Sequence, residues 1–160
     1  MKLPPKLVQQ GAEAETRFRA WLDASRLPHI YTDQTRESVP VHFRRHMKRP
    51  DYLVALPYVG TIAFDVKCKT TYGKENTYVF DVAEIRKLAT FDKLFRITTF
   101  FACLSLDGSS HGYWFGLDAL NERINGLQGG TIGVHPQQGL PVDMDRPFQD
   151  ALADALHLNV

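Results

Sequence analysis

Cysteine is scarce in this chain, and cations are scarce after residue 100. Cys68 and Cys103 are the only cysteines in 160 residues, too few and too far apart to build a zinc site by themselves. Each falls in a strand-like apolar run, where a free thiol packs as a small hydrophobe, and nothing nearby would activate it. No run approaches the apolar length that spans a bilayer. The opening Met1-Lys2-Leu3-Pro4-Pro5-Lys6 has no apolar segment of signal-peptide type after its lysines. The expectation is a soluble, cytoplasmic protein, nucleoid-associated if it acts on DNA. Internal repeats and low-complexity tracts are absent as well.

What is present fits one globular domain. The length allows one full hydrophobic core rather than two. Hydrophobic residues at 44% and charged residues at 23% are ordinary for such a domain. The net charge of +1 hides an asymmetry. Residues 1–100 hold 17 Lys+Arg against 11 Asp+Glu, whereas residues 101–160 hold 2 against 7. A basic front suits an anionic partner. The acidic back suits a dimerisation element, a protein-docking surface or a mask over the basic face.

Apolar spacing predicts a helix over Gln9–Ser25, with Ala14, Phe18, Trp21 and Leu22 on one side, ended by Pro28. A short strand at Ile30–Thr32 leads into a polar, basic connection over 33–50. Tyr52–Leu56 and Thr61–Cys68 read as a hairpin around Pro57-Tyr58-Val59-Gly60. A further extended piece at Thr77–Phe80 precedes a second helix over Val82–Phe95. Strands at Thr98–Leu106 and Gly112–Leu117 follow, joined by Asp107-Gly108-Ser109-Ser110. The stretch 125–147, rich in Gly, Pro and Gln, reads as an ordered loop, and 146–158 as a final amphipathic helix. The fold class is α/β: a central mixed β-sheet flanked by helices. Residues 1–124 form the core, and 125–160 a C-terminal loop-and-helix extension packed on or beside it.

Strand parity places chemistry on one face. Side chains two apart in a strand share a face, so Asp65, Lys67 and Lys69 project together, opposite Phe64, Val66 and Cys68. Burying such charges costs several kcal/mol per ion unless they are paired or bind a metal. Asp51, opening the partner strand after Pro50, can bring its carboxylate beside Asp65. Two carboxylates side by side repel, and hard oxygen ligands suit Mg²⁺, with Mn²⁺ able to substitute. Asp65-Val66-Lys67 is the chain's sole acid-x-Lys triplet. Helix periodicity puts Glu15 on or beside the apolar stripe that faces the sheet, where a carboxylate is costly unless it meets a cation. Glu13 is rotated away.

The segments Gly11-Ala12-Glu13-Ala14-Glu15, Pro50-Asp51-Tyr52-Leu53-Val54-Ala55 and Phe64-Asp65-Val66-Lys67-Cys68-Lys69-Thr70 together resemble the archaeal Holliday-junction resolvases. These belong to the restriction-endonuclease-like PD-(D/E)xK nuclease superfamily. The likeness covers residues 9–117. It implies an Mg²⁺-dependent endodeoxyribonuclease, possible branched-DNA specificity in repair or recombination, and a homodimer. By position it makes Glu15, Asp51, Asp65 and Lys67 catalytic. Asp51 and Asp65, with the Val66 backbone carbonyl, would hold the metal, and Glu15 would contact a metal-bound water or a second ion. The third acid is Asp where the resolvases commonly have Glu.

The basic connection offers Arg36, Arg44, Arg45, Lys48 and Arg49, with Lys69 further along the strand, as contacts to a DNA backbone. Two other readings stay open on the same residues: a binding module of this fold that does not cut, and an RNA-cleaving enzyme.

Overall fold

A computed structural model describes residues 4–157 of the chain. Its first helix, α1 (Pro5–Ala24), begins at Pro5 rather than Gln9, since proline in the first turn is already set for a helix. It buries Ala14, Phe18, Trp21 and Leu22, the predicted stripe. At its end Arg26 takes the left-handed conformation, with φ 55°. The N–H groups of Arg26 and Leu27 turn back to the carbonyls of Asp23 and Leu22, a closure that more often uses glycine.

Strand β1 (His29–Tyr31) is followed by the basic segment, which carries short 3-10 turns at Arg36–Ser38 and Val41–Phe43. Then come β2 (Tyr52–Leu56), β3 (Gly60–Cys68), β4 (Tyr78–Asp81), α2 (Val82–Phe95), β5 (Thr98–Leu104) and β6 (His111–Gly116). The chain finishes with α3 (Leu117–Arg123), β7 (Thr131–Val134), β8 (Leu140–Asp143) and α4 (Phe148–His157). The main sheet has six strands in the order β1-β2-β3-β5-β6-β8, while β4 and β7 pair in a separate ribbon. Within the main sheet only β3 and β5 run parallel. Their connection includes α2, as a parallel pair requires a crossover.

Two expectations are corrected by this topology. The stretch 125–147 is not a loop throughout, because β7 pairs with β4 and β8 adds a strand beside β6. Both strands have four residues and include Gly133 or Pro141, a composition that reads as turn. Pro141 is tolerated because β8 lies at the sheet edge. The strand expected to run to Leu117 stops at Gly116, and Leu117 instead opens helix α3. The final helix starts at Phe148, just after Pro147, and the predicted end at Leu158 lies outside the described residues.

Both faces of the sheet are covered. On one side Phe18, Trp21, Tyr52, Phe64, Trp114 and Phe148 join α1 and α4 to the strands. On the other, Phe80, Ile85, Leu88, Phe101, Phe115 and Leu117 join α2, α3 and the ribbon to them. The central strands therefore alternate between two apolar layers: Phe64 and Val66 face the first, as Ala102 and Leu104 do on β5, while Phe101 and Cys103 face the second. No helix among the described residues is long and apolar enough to cross a membrane.

Phe148 is fully buried, with its ring 5.0 Å from that of Trp21 and 5.2 Å from that of Trp114. Helix α4 thus commits its apolar stripe to the core. Phe148→Ala is expected to lower unfolding free energy by about 3–5 kcal/mol, measured by urea denaturation.

Candidate functional site

The site lies where β2 and β3 part. Their ladder sets Tyr52 opposite Phe64, so Asp51, one residue earlier, comes against Asp65, one residue later. The Asp51 N–H still donates to the Phe64 carbonyl at 2.9 Å. One step on, the Val66 N–H donates to Asp51 Oδ2 at 2.7 Å. A side-chain carboxylate thus takes the place of a backbone acceptor and is pinned against β3. The Asp51 carbonyl meanwhile accepts from the Thr32 N–H, which ties the same residue to the chain beyond β1. Because a strand residue presents its N–H and C=O on one side, the Val66 carbonyl lies along this same opened edge.

Asp65 falls on the α2 side of β3, as strand parity requires, and is fully buried. Such a charge must be paired. Lys48 Nζ stands 2.7 Å from its Oδ1 and Lys67 Nζ 2.7 Å from its Oδ2. Both ammonium groups also stand 2.6 Å from Glu84 Oε1. Asp65, Lys48, Glu84 and Lys67 therefore close a ring of alternating charges. Asp65 Oδ2 is in ion-pair contact with Lys67 but accepts no aligned hydrogen bond.

The electrostatics follow from this packing. Burial, reinforced by the neighbouring Asp65 charge, pushes the Asp51 carboxyl up to about 7 against the pull of Lys48 and the Val66 N–H. Burial alone would raise Glu84 too, but Lys67 and Lys48 outweigh it and hold its carboxyl at about 2. Burial works against the Lys67 ammonium, yet Asp65 and Glu84 prevail and keep its pKa above the ordinary lysine range.

Asp51, Asp65 and Lys67 are thus brought together, and Glu15 stands beside them rather than among them. The Tyr31 hydroxyl donates to Glu15 Oε2 at 3.1 Å. Burial, then the Glu15 charge, push that phenol up to about 12. Lys69 points away from the ring: its ammonium donates to the Val79 carbonyl and lies 4.9 Å over the Phe80 ring.

The basic segment is held in place. Val39 and Met47 pack on Phe91 of α2, the Lys48 N–H donates to the Lys87 carbonyl, and Arg44 Nε donates to the Val39 carbonyl. Arg49 bonds Ser38 Oγ and the Thr35 carbonyl. Arg36 and Arg45 are exposed. Arg36, Arg44, Lys48, Arg49 and Lys87 line a cavity of about 350 Å³ that reaches Glu84.

Sequence reasoning missed Glu84. It is the third residue of α2, and its N–H donates to the Asp81 side chain that caps the helix. In sequence, Asp81 followed three residues later by Glu reads as an ordinary helix start. Lys48, expected among the nucleic-acid contacts, turns its ammonium inward as one corner of the ring, between Asp65 and Glu84.

The donor chemistry suits a hard divalent cation at one corner. Two buried carboxylates adjoin there, and one oxygen, Asp65 Oδ2, lacks an aligned hydrogen bond. Such oxygens match Mg²⁺ or Mn²⁺. Among the described residues no three His, Cys, Asp or Glu side chains form a group that could hold an ion; Tyr31 engages Glu15, and the two lysines engage Glu84.

Asp51 carries a pH signature. Its folded pKa of about 7 exceeds the ordinary 3.8, so between those values the native state binds the proton more tightly than the unfolded chain. Stability from this group is present at low pH and lost as pH rises through that window. In metal-free buffer, thermal melts of Asp51→Asn are expected to lack that component of the decline between about pH 4 and 7.

No protein-family model matches the chain, and no curated protein matches it. Among solved structures it is similar to Hjc of Archaeoglobus fulgidus, a Holliday junction resolvase from an archaeal hyperthermophile solved at 1.6 Å resolution. Identity is 15% and the TM-score 0.56, over 81% of this chain and 93% of that one. The two share a fold, and this chain has the restriction-endonuclease-like architecture of that protein, a central mixed sheet flanked by helices.

Proposed function

We propose that this protein is a metal-dependent endonuclease that hydrolyses DNA phosphodiester bonds, with branched DNA as its leading substrate class. The observation that carries the reading is the convergence of Asp51, Asp65 and Lys67 where β2 leaves β3, on a fold shared with a Holliday junction resolvase. A repair or recombination role and a homodimeric assembly belong to the same reading.

Asp51 and Asp65, with the Val66 carbonyl, would hold Mg²⁺ or Mn²⁺. When bound there, such an ion lowers the pKa of a coordinated water and polarises the scissile phosphate. Lys67 supplies a fixed positive charge at the phosphate oxygens, where negative charge grows in the transition state. Glu84 holds Lys67 in position from α2. Glu15 lines the same groove as Lys67, a cavity of about 700 Å³, and would accept a hydrogen bond from a water at its rim. Arg36, Arg44, Arg45 and Arg49 give the approach a positive potential suited to a phosphate backbone.

The test is cleavage of a panel comprising duplex, single strand, flap, four-way junction and RNA, with Mg²⁺ or Mn²⁺. Wild type is expected to cut DNA only when the cation is present. Asp65→Asn should abolish cutting, and Lys67→Met should slow it on the order of 10²–10³-fold. Binding, followed by fluorescence anisotropy, should persist in both. Binding without cutting under every condition would instead identify a module that does not cleave, and selective cutting of RNA would replace the substrate.

A further inference from the structure

Lys48 and Glu84 complete the charge ring, yet the cleavage scheme gives Lys48 no task. Its position is unusual for a member of a basic segment. The ammonium is turned inward, 2.7 Å from Asp65 Oδ1 and 2.6 Å from Glu84 Oε1. The residue also lines the arginine-rich cavity together with Arg36, Arg44 and Arg49. Lys48 therefore joins the surface where a phosphate backbone would lie to the carboxylate where a cation would bind.

The two lysines of the ring are held differently. Lys67 is the penultimate residue of β3, still paired with Cys103 of β5, and its ammonium lies 5.8 Å over the Phe101 ring. Lys48 reaches in from a connecting segment outside the sheet, with 28% of its side chain exposed against 21% for Lys67. Of the two, Lys48 is the one that lines the arginine-rich cavity, so its ammonium has a phosphate-facing surface to turn to.

Charge balance gives it a reason to do so. With Asp51 ionised, the carboxylates of Asp51, Asp65 and Glu84 are neutralised by Lys67 and one divalent cation. Counting the ring and Asp51 alone, Lys48 is then a positive charge in excess beside that cation, with Glu15 engaged by Tyr31 at the rim. In the cation's absence, Lys48 shares with Lys67 the neutralisation of the buried Asp65 and is the only partner of its Oδ1 among the described residues.

We propose that Lys48 is the resident counter-ion of Asp65, and that it leaves Asp65 for a phosphate when nucleic acid fills the arginine-lined cavity. Nucleic-acid binding and cation binding are thereby coupled through one side chain. This rests on the nuclease reading above. Linkage makes the coupling reciprocal: whatever factor nucleic acid adds to cation affinity, the cation adds to nucleic-acid affinity. Glu84 stays with Lys67 throughout, so the displaced lysine does not take the other with it. A free protein built this way holds its metal site closed by its own ammonium, and substrate opens it.

The test measures Mn²⁺ binding directly, by calorimetry and by the spin-resonance signal of the free ion. Wild type, Lys48→Met, Lys48→Gln and Lys48→Arg are each titrated with and without a phosphorothioate duplex that resists cleavage. Without duplex, Lys48→Met and Lys48→Gln are expected to bind Mn²⁺ about tenfold or more tighter than wild type. The duplex should tighten Mn²⁺ binding to wild type by about 5–150-fold, the usual range for coupled sites, and to those two variants far less. Lys48→Arg, which keeps the charge, should follow wild type, and having two neutral variants guards against one that fails to fold. Equal Mn²⁺ affinity in wild type and both neutral variants, with the same response to duplex, would overturn the displacement and leave the nuclease reading standing. Absence of Mn²⁺ binding in every protein, with and without duplex, would overturn both.

Discussion

A carboxylate with no solvent exposure sits on the inner face of a central strand, and much of the surrounding structure is arranged around neutralising it. Asp65 is enclosed by β5 on one side, by α2 above and by the opened edge of β2 on the other. Breaking a buried pair by removing one partner costs about 3–5 kcal/mol, so elements that deliver its counter-charges are fixed in consequence. The basic segment is stapled to α2 by Val39 and Met47, which brings Lys48 inward. The N-terminus of α2 is fixed by the Asp81 cap, which presents Glu84 to both lysines. The basic surface and the carboxylate corner are therefore parts of one electrostatic unit.

The legible part of this arrangement is the part governed by local period. Parity alone sorts Phe64 and Val66 from Asp65 and Lys67, and the sheet obeys it with a separate apolar layer on each face. The span Val82–Phe95 is likewise set by its apolar spacing and by Asp81 before it. Asp51 follows from these, because a hairpin of known register leaves little freedom for the residue that precedes it. What could not be read depends on long-range encounters. Glu84 doubles as an unremarkable third residue of a helix, and only the tertiary fold brings two lysines to it. Glu15 lies toward the sheet as its helix period requires, but Tyr31, on a strand of only three residues, takes its carboxylate. Strands β7 and β8 are recruited by pairing partners far away in the chain, and their glycine and proline content hides them.

The uneven charge of the two chain halves also acquires a spatial meaning. Helix α4 turns Phe148, Ala151 and Ala155 into the core and leaves Asp150 and Asp154 outside, with Arg146 paired to Asp154. It packs on the α1 side of the sheet, whereas the basic segment is seated on α2. The last acidic stretch therefore lies across the sheet from the arginines. A polyanion drawn to one side meets a like-charged surface on the other, which orients its approach before any contact forms.

The hydrogen bond from the Val66 N–H to Asp51 makes one backbone amide a built-in observer of the site. Its proton has one acceptor, a side-chain oxygen whose charge changes when Asp51 gains a proton. In a nitrogen–proton correlation spectrum, the Val66 resonance therefore follows the protonation state of a carboxyl that is itself hidden from solvent. Aspartate and asparagine both offer an oxygen to that amide, so Asp51→Asn removes the titration and leaves the amide an acceptor.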